Sequence, residues 1–412
     1  MDVKLLNLST RRCLPTTLLP LLAASLFASG AQAQAPPLAA PPLRALIVGG
    51  GPDPSYNQVA IENNVLYVNR LLPPGTMKRI LFANGRPQTK DVQYTENGHD
   101  AYRASRITGL DGASRLGPFH DNLRALSSAG SGPLLLYFTG HGSPGRRDYD
   151  TNRYDMWGRD ELSVARLATE ISAVPKSVPL TLVMVECFSG AFGNLLFEQG
   201  SPTGPLVDRP ICGFFASLAP RPAAGCTPEI DEANYRDFTS YFFAALSGVD
   251  RLGKPVTGAD YNHDGVVGMD EAFAYTLIHD DSIDTPVATS DVFLRRYVKN
   301  PDTELFRASY ADVLSWASPS QAAVLEALSD YLKLAGDDRL PKAYARFSKL
   351  DSRTEEPRDV HAIRFIRVAK TVLLAHNLLN SANTTLKERY AALLRAESAN
   401  PLLPERRAVV ER

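Results

Sequence analysis

At 412 residues, with 44% hydrophobic and 22% charged side chains and a formal net charge of −1, the chain has room for one sizeable core and a second, smaller unit. That composition excludes disordered and collagen-like chains. The near-neutral balance carries no electrostatic footprint for nucleic acid, so no nucleic-acid partner is expected.

At the N-terminus, Lys4, Arg11 and Arg12 precede an apolar run from Leu14 to Phe27, and Ala31-Gln32-Ala33 follows as an A-x-A cleavage site. Residues 1–33 therefore read as a signal peptide. The mature chain is expected to start near Gln34 and to be exported, periplasmic or secreted, by a route the sequence leaves open. The run is short and broken by Pro15 and Pro20, and no other stretch is long and apolar enough, so no membrane span is expected in the mature chain. Residues 34–42 read as a Pro/Ala linker. Cleavage removes Asp2, Lys4, Arg11 and Arg12, taking the net charge from −1 to −3, and removes Cys13, leaving Cys187, Cys212 and Cys226. In an oxidising compartment two of these can pair. Three pairings are open; the closeness of Cys212 and Cys226 around a Pro/Gly-rich loop favours theirs and leaves Cys187 as the odd thiol.

Short apolar runs at Leu43 to Val48, Arg79 to Ala83, Leu134 to Thr139, Leu180 to Val185 and Ile211 to Ala216 read as buried strands. Helical periodicity appears at Gln58 to Leu72, Phe119 to Ser128 and Leu162 to Ser172. Such alternation predicts an α/β fold with a mainly parallel sheet covered by helices on both faces. From about Asp291 the pattern is helical only, clearest at Ser318 to Leu334, His361 to Leu379 and Thr385 to Ala396, with Ser318 as N-cap and Pro319 behind it. The expected division is an α/β domain over 43–285 and an α-helical C-terminal region over 286–412. That region is left to regulate access, to bind a protein partner or to complete the core.

In an open parallel sheet, ligands bind beyond the carboxyl ends of the strands. His141 follows one strand, in "LLLYFTGHGSPG", and Cys187 follows another, in "LVMVECFSGAF". These segments resemble the caspase-like cysteine peptidases, a clan that includes legumain, gingipain, clostripain and the metacaspases. The clan is marked by an apolar strand ending in His-Gly and a later one ending in a nucleophilic Cys, and Cys-x-Ser-Gly is shared with legumain and the metacaspases. The resemblance covers roughly Leu43 to Gly248. It implies a caspase-like sheet and an endopeptidase acting on peptide or protein substrates, with Cys187 as nucleophile and His141 protonating the leaving amine. The amides of Gly142 and Cys187 would form the oxyanion hole. The residue chemistry agrees: a thiolate attacks, a nearby imidazolium or helix N-terminus lowers a thiol pKa, and a helix is expected from about Ala191. Glu186 opposes that activation and reads as a strand-end carboxylate bonded to neighbouring backbone.

By the same resemblance, specificity is shaped by the loops Gly51 to Gln58 and Ser217 to Cys226. Asn57, Gln58 and Ser217 are the substrate-facing candidates, and no arginine stands in the first loop to favour an acidic or Asn side chain. A non-catalytic binding module and a transamidase using the same acyl-enzyme are the competing expectations.

Two glycine motifs fail. Gly49-Gly50-Gly51-Pro52 has Pro54 where a dinucleotide loop needs its third glycine, and His141-Gly142-Ser143-Pro144-Gly145 lacks the spacing of a serine nucleophile elbow. No organic cofactor is expected. "DYNHDGVVGMDE", residues 260–271, matches the calcium-loop pattern at all five defined positions. Asp260, Asn262 and Asp264 would supply side-chain oxygens, Val266 a carbonyl, Gly265 the turn and Glu271 a bidentate carboxylate to Ca2+.

Overall fold

The computed structural model describes residues 41–299, 302–305, 307–347, 349–351 and 353–403; the expected signal peptide and residues 34–40 of the expected linker lie outside them. In chain order the first part contains β1 (Arg44–Gly50), α1 (Val59–Leu71), β2 (Met77–Phe82), β3 (Lys90–Glu96), β4 (His99–Ala104), α2 (Leu116–Ser128) and β5 (Leu134–Ser143). There follow β6 (Arg153–Asp155), β7 (Glu161–Ser163), α3 (Val164–Ser172), β8 (Leu180–Met184), β9 (Ile211–Phe215), α4 (Phe238–Ser247), α5 (Met269–His279) and β10 (Val287–Ala288). All seven residues of β1 and the first seven of β5 are buried, as central parallel strands covered on both faces must be.

The main sheet runs β10-β9-β8-β5-β1-β2, with β6 and β7 paired onto the end of β5. The neighbours from β2 to β9 are parallel and β10 is antiparallel. Successive residues of β5 show how it is covered. Tyr137 packs edge-on against Phe243 of α4, while Phe138 packs against Phe119 of α2. Adjacent side chains on a strand point to opposite faces, so helices lie on both, and the α/β architecture is as expected.

The second part is helical: α6 (Thr289–Tyr297), α7 (Asp302–Leu305), α8 (Tyr310–Trp316), α9 (Pro319–Tyr331), α10 (Arg339–Phe347), α11 (Pro357–Asn380) and α12 (Thr384–Glu397). Ser318 caps α9, accepting from the Gln321 N–H while the Gln321 side chain returns the bond. The strand β10 lies beyond residue 285 yet closes the sheet. Leu374, Leu378, Tyr390 and Leu393 join the same core as β1 and β5, and Asn400 donates to the carbonyls of Leu246 and Val267. A second core cluster sits among α5, α8, α9 and α11. The strand β10, α6, the end of α11 and α12 thus share the core of the α/β layer. No helix among the described residues is long and apolar enough to cross a membrane.

Candidate active site

The parallel register of β5 and β8 pairs Phe138 with Met184, and the Val185 N–H donates to the Phe138 carbonyl at 3.0 Å. Three residues beyond that pair on each side stand His141 and Cys187. The two chains stay together past the sheet: a Cβ on Gly142 would lie 2.2 Å from the Cys187 carbonyl oxygen and 2.8 Å from Glu186 Cγ. Only glycine fits there, because the neighbouring backbone occupies the space. From β1 the chain leaves to one side for β2 and returns on the other for β5, so the carboxyl ends of β1 and β5 flank the topological switch point, where the crevice of an open sheet opens.

The loop after β1 reaches across this crevice to the histidine. His141 Nε2 meets Gln58 Oε1 at 2.9 Å, and the Tyr56 ring stands edge-on at 5.4 Å with 52% of its surface exposed. Burial pushes the imidazole pKa below its ordinary value, against smaller upward pulls from the Tyr56 carbonyl and Asp53. Cys187 Sγ accepts from the Ala223 N–H at 3.3 Å. Burial drives its pKa up, the Ala223 bond opposes this, and the charges of Asp284 and Glu186 add to it. An imidazolium or a helix terminus would lower the thiol; here burial acts the other way on both groups, raising the thiol and lowering the imidazole. Phe188 is left-handed, at φ 64°, and opens a 3₁₀ helix over Ser189–Leu196, two residues before the expected helix start.

It follows that iodoacetamide labelling of Cys187 rises with pH from 7 through 9, its apparent midpoint above the ordinary 9.0. Peptide mapping reads this directly. A rate already level at pH 7 would mean a preformed thiolate.

Of the three substrate-facing candidates, the structure turns two inward. Asn57 is fully buried, accepting from the Gly51 N–H and donating to the Asp91 carbonyl. Ser217 is fully buried as well, its hydroxyl donating to the Arg221 carbonyl and its N–H to Ser189 Oγ. Both hold loop shape, because each loop leaves backbone groups with no sheet partner. Gln58 alone reaches the crevice, through His141. Glu186 departs from its reading too: it is completely buried, neither carboxyl oxygen has a hydrogen-bond partner on a neighbouring residue, and burial raises its pKa well above the carboxylate range.

No described protein family matches the sequence, and no curated protein does. Solved structures similar in fold include two of distant sequence. A Geobacter sulfurreducens protein solved as a structural-genomics target is 14% identical, with 60% of this chain and 92% of that one covered and a TM-score of 0.36. The initiator caspase Dronc of Drosophila is 10% identical, with 60% and 77% covered and a TM-score of 0.34. The chemistry of the site therefore rests on the residues themselves.

The cysteines do not pair as expected; all three are free thiols. Cys212 stands near the start of β9, 3.7 Å from Thr181 Oγ1 and 3.6 Å from the Ala396 carbonyl. The chain after β9 carries Cys226 to the opposite end of the sheet, where Sγ donates to the Gly140 carbonyl at 3.3 Å. Closeness in sequence is undone by one strand's length. Cys226 and Asp284 are site neighbours that sequence spacing did not suggest: Asp284 accepts from the Ala224 N–H at 2.7 Å and so fixes the loop that bonds Cys187.

In the 260–271 loop, Gly265 takes φ 83° and its N–H donates to Asp260 Oδ2. The Asp264 N–H donates to Asn262 Oδ1 and the Val266 N–H to Asp264 Oδ1, so the first half winds as a calcium loop does. Glu271 departs from that pattern. Its carboxylate accepts from the N–H groups of Tyr261, Asn262 and Gly268, and among the described residues no three His, Cys, Asp or Glu side chains converge on a metal position.

Proposed function

We propose that the chain is a cysteine endopeptidase of caspase-like type. The observation that carries this is the equivalent placement of His141 and Cys187, each three residues beyond a paired position on adjacent parallel strands, with Gly142 packed on the Cys187 backbone. When a peptide enters the crevice, His141 takes the Cys187 proton and the sulfur bonds to the scissile carbonyl carbon. The amides of Gly142 and Cys187 donate to the oxyanion. Collapse breaks the C–N bond, and His141 passes the proton to the departing amine, leaving a thioester. His141 then takes a proton from water, the hydroxide attacks the thioester, and the acid leaves as the Cys187 thiol is restored. Gln58 orients the imidazole, and substrate replaces its contact at Nε2.

The competing readings divide on two measurements. Labelling of Cys187 by an electrophilic peptide probe, with release of free acid from a peptide library, supports hydrolysis. Transfer of the acyl group to an added amine in preference to water makes the protein a transamidase; a folded chain that neither labels nor turns over is a binding module. The proposal includes export directed by residues 1–33, tested by sequencing the N-terminus of the mature protein.

Calcium at 260–271 belongs to the same proposal, as a structural ion. Oxygens of Asp260, Asn262 and Asp264 suit it in kind, and Glu271 would have to exchange backbone bonds for the ion. A ligand that favours the native state raises Tm by an amount that grows with its concentration. Wild type should therefore melt higher in millimolar calcium than in chelator, and Asp264→Ala should lose that shift. Equal shifts in both, or none in either, would reduce the segment to an acidic turn.

A further inference from the structure

Away from the crevice, a cavity of about 480 Å³ opens where β9 and β10 meet α5, α9, α11 and α12. Its walls include Phe214, Phe273, Leu277, Val324 and Val368, and exposed Leu379 and Leu394 stand among its lining residues. That volume and an apolar lining with a few polar groups are those of a small-molecule site.

The charges lining it are unevenly matched. Asp291 is neutralised by Arg295 and Arg367, with a further bond from Thr371. The Arg364 guanidinium is spent on the carbonyls of Leu277, Asp280, Ser282 and Asp284. Arg395 lies on the exposed side of α12. Among the described residues, two lining carboxylates then have no cation paired with them. Glu397 is 2% exposed and accepts from Thr289 Oγ1 and the Ser290 N–H. Asp270, in the first turn of α5, comes beside the end of α12, because the Met269 N–H donates to the Ala399 carbonyl. A Cβ on Gly268 would meet the Ser398 carbonyl oxygen at 2.5 Å and Asp270 Oδ1 at 2.6 Å, so the two oxygens close over that glycine. Asp270, Glu397 and Ser398 are all lining residues of the apolar chamber.

We propose that this cavity binds a small amphiphilic organic cation, an ammonium carried on an apolar chain or ring, with the ammonium against Asp270 and Glu397 and the apolar part among Phe214, Phe273 and Val324. An ammonium supplies donors and positive charge together, and desolvated charge-assisted bonds are the strong ones. An alkyl carboxylate would meet two like charges, and a neutral alcohol would leave both carboxylates uncompensated.

The probes are octylammonium, octanoate and 1-octanol, titrated calorimetrically into the full chain. Octylammonium should bind one site saturably and at least about tenfold tighter than the other two. Asp270→Asn should weaken it by a similar factor. Ala375→Phe, which fills the chamber from α11 without touching a charge, should abolish binding. Trp316 lines the cavity, so in a Trp157→Phe background its fluorescence should report the same isotherm. Equal affinity for octanoate or octanol overturns the cationic class. Binding unchanged in Ala375→Phe, or no saturable binding of octylammonium to the wild-type chain, overturns the site.

Discussion

Cys187→Ala and His141→Ala should each lower peptide turnover by roughly three to six orders of magnitude while leaving Tm close to wild type. The size follows from the proposed roles: without Sγ no thioester would form, and without the imidazole neither the thiol proton nor the leaving amine would be served. The small structural cost follows from the surroundings. Neither residue is fully buried; Cys187 gives up a bond to the Ala223 N–H, and His141 gives up Gln58 and the edge contact with Tyr56. Gly142→Ala should be equally inactive for another reason, since its methyl would meet the Cys187 carbonyl oxygen at 2.2 Å and force the two strand ends apart. Cys212→Ala, at the far end of β9, should retain activity. Progress curves on one fluorogenic peptide library compare all four. Turnover surviving in folded Cys187→Ala would remove the proposed nucleophile and the mechanism with it.

The architecture was legible where burial dictates composition. Runs such as "ALIV", "LLLYF" and "LTLVM" became β1, β5 and β8 because a strand covered on both faces is mostly apolar, and each boundary fell within a few residues. The β3–β4 hairpin was missed although its turn is written plainly: Asn97 and Gly98 both take positive φ, at 52° and 78°, as a two-residue hairpin turn requires. In the site, positions along strands could be read and side-chain directions in loops could not. The chain placed His141 and Cys187 at strand ends, which register alone brings together. Asn57 and Ser217 lie in irregular segments whose backbone needs internal partners, and a motif carries no sign of which polar residue is recruited inward. The direction in which burial moves the thiol's pKa is not legible in the sequence, because charge partners can be read from it whereas burial, the larger influence here, depends on the whole fold.

Arg364→Met should destabilise the protein by about 3 to 5 kcal/mol, because it removes the cation beside a buried carboxylate and four carbonyl partners at once. Arg364 is 1% exposed on α11, and its guanidinium donates to Leu277, Asp280, Ser282 and Asp284, the segment joining α5 to β10. The Asp280 carboxylate, fully buried, lies 3.7 Å away. Burial already raises its pKa against the pull of Arg364, so the folded state holds its proton to higher pH than the unfolded chain does. A carboxyl raised in this way costs stability progressively as pH climbs through its folded value, and removing Arg364 raises that value further. The deficit of the variant should therefore deepen from pH 4 to pH 8 in denaturant titrations. Activity should fall before the fold does. Asp284, beside the lost contacts, accepts from the Ala224 N–H and the Phe238 N–H, and the adjacent Ala223 N–H bonds Cys187. A variant within about 1 kcal/mol of wild type, with kcat intact, would mean that the C-terminal helices merely sit on the α/β layer. A large loss of both would make them part of the scaffold that holds the loop bonded to Cys187.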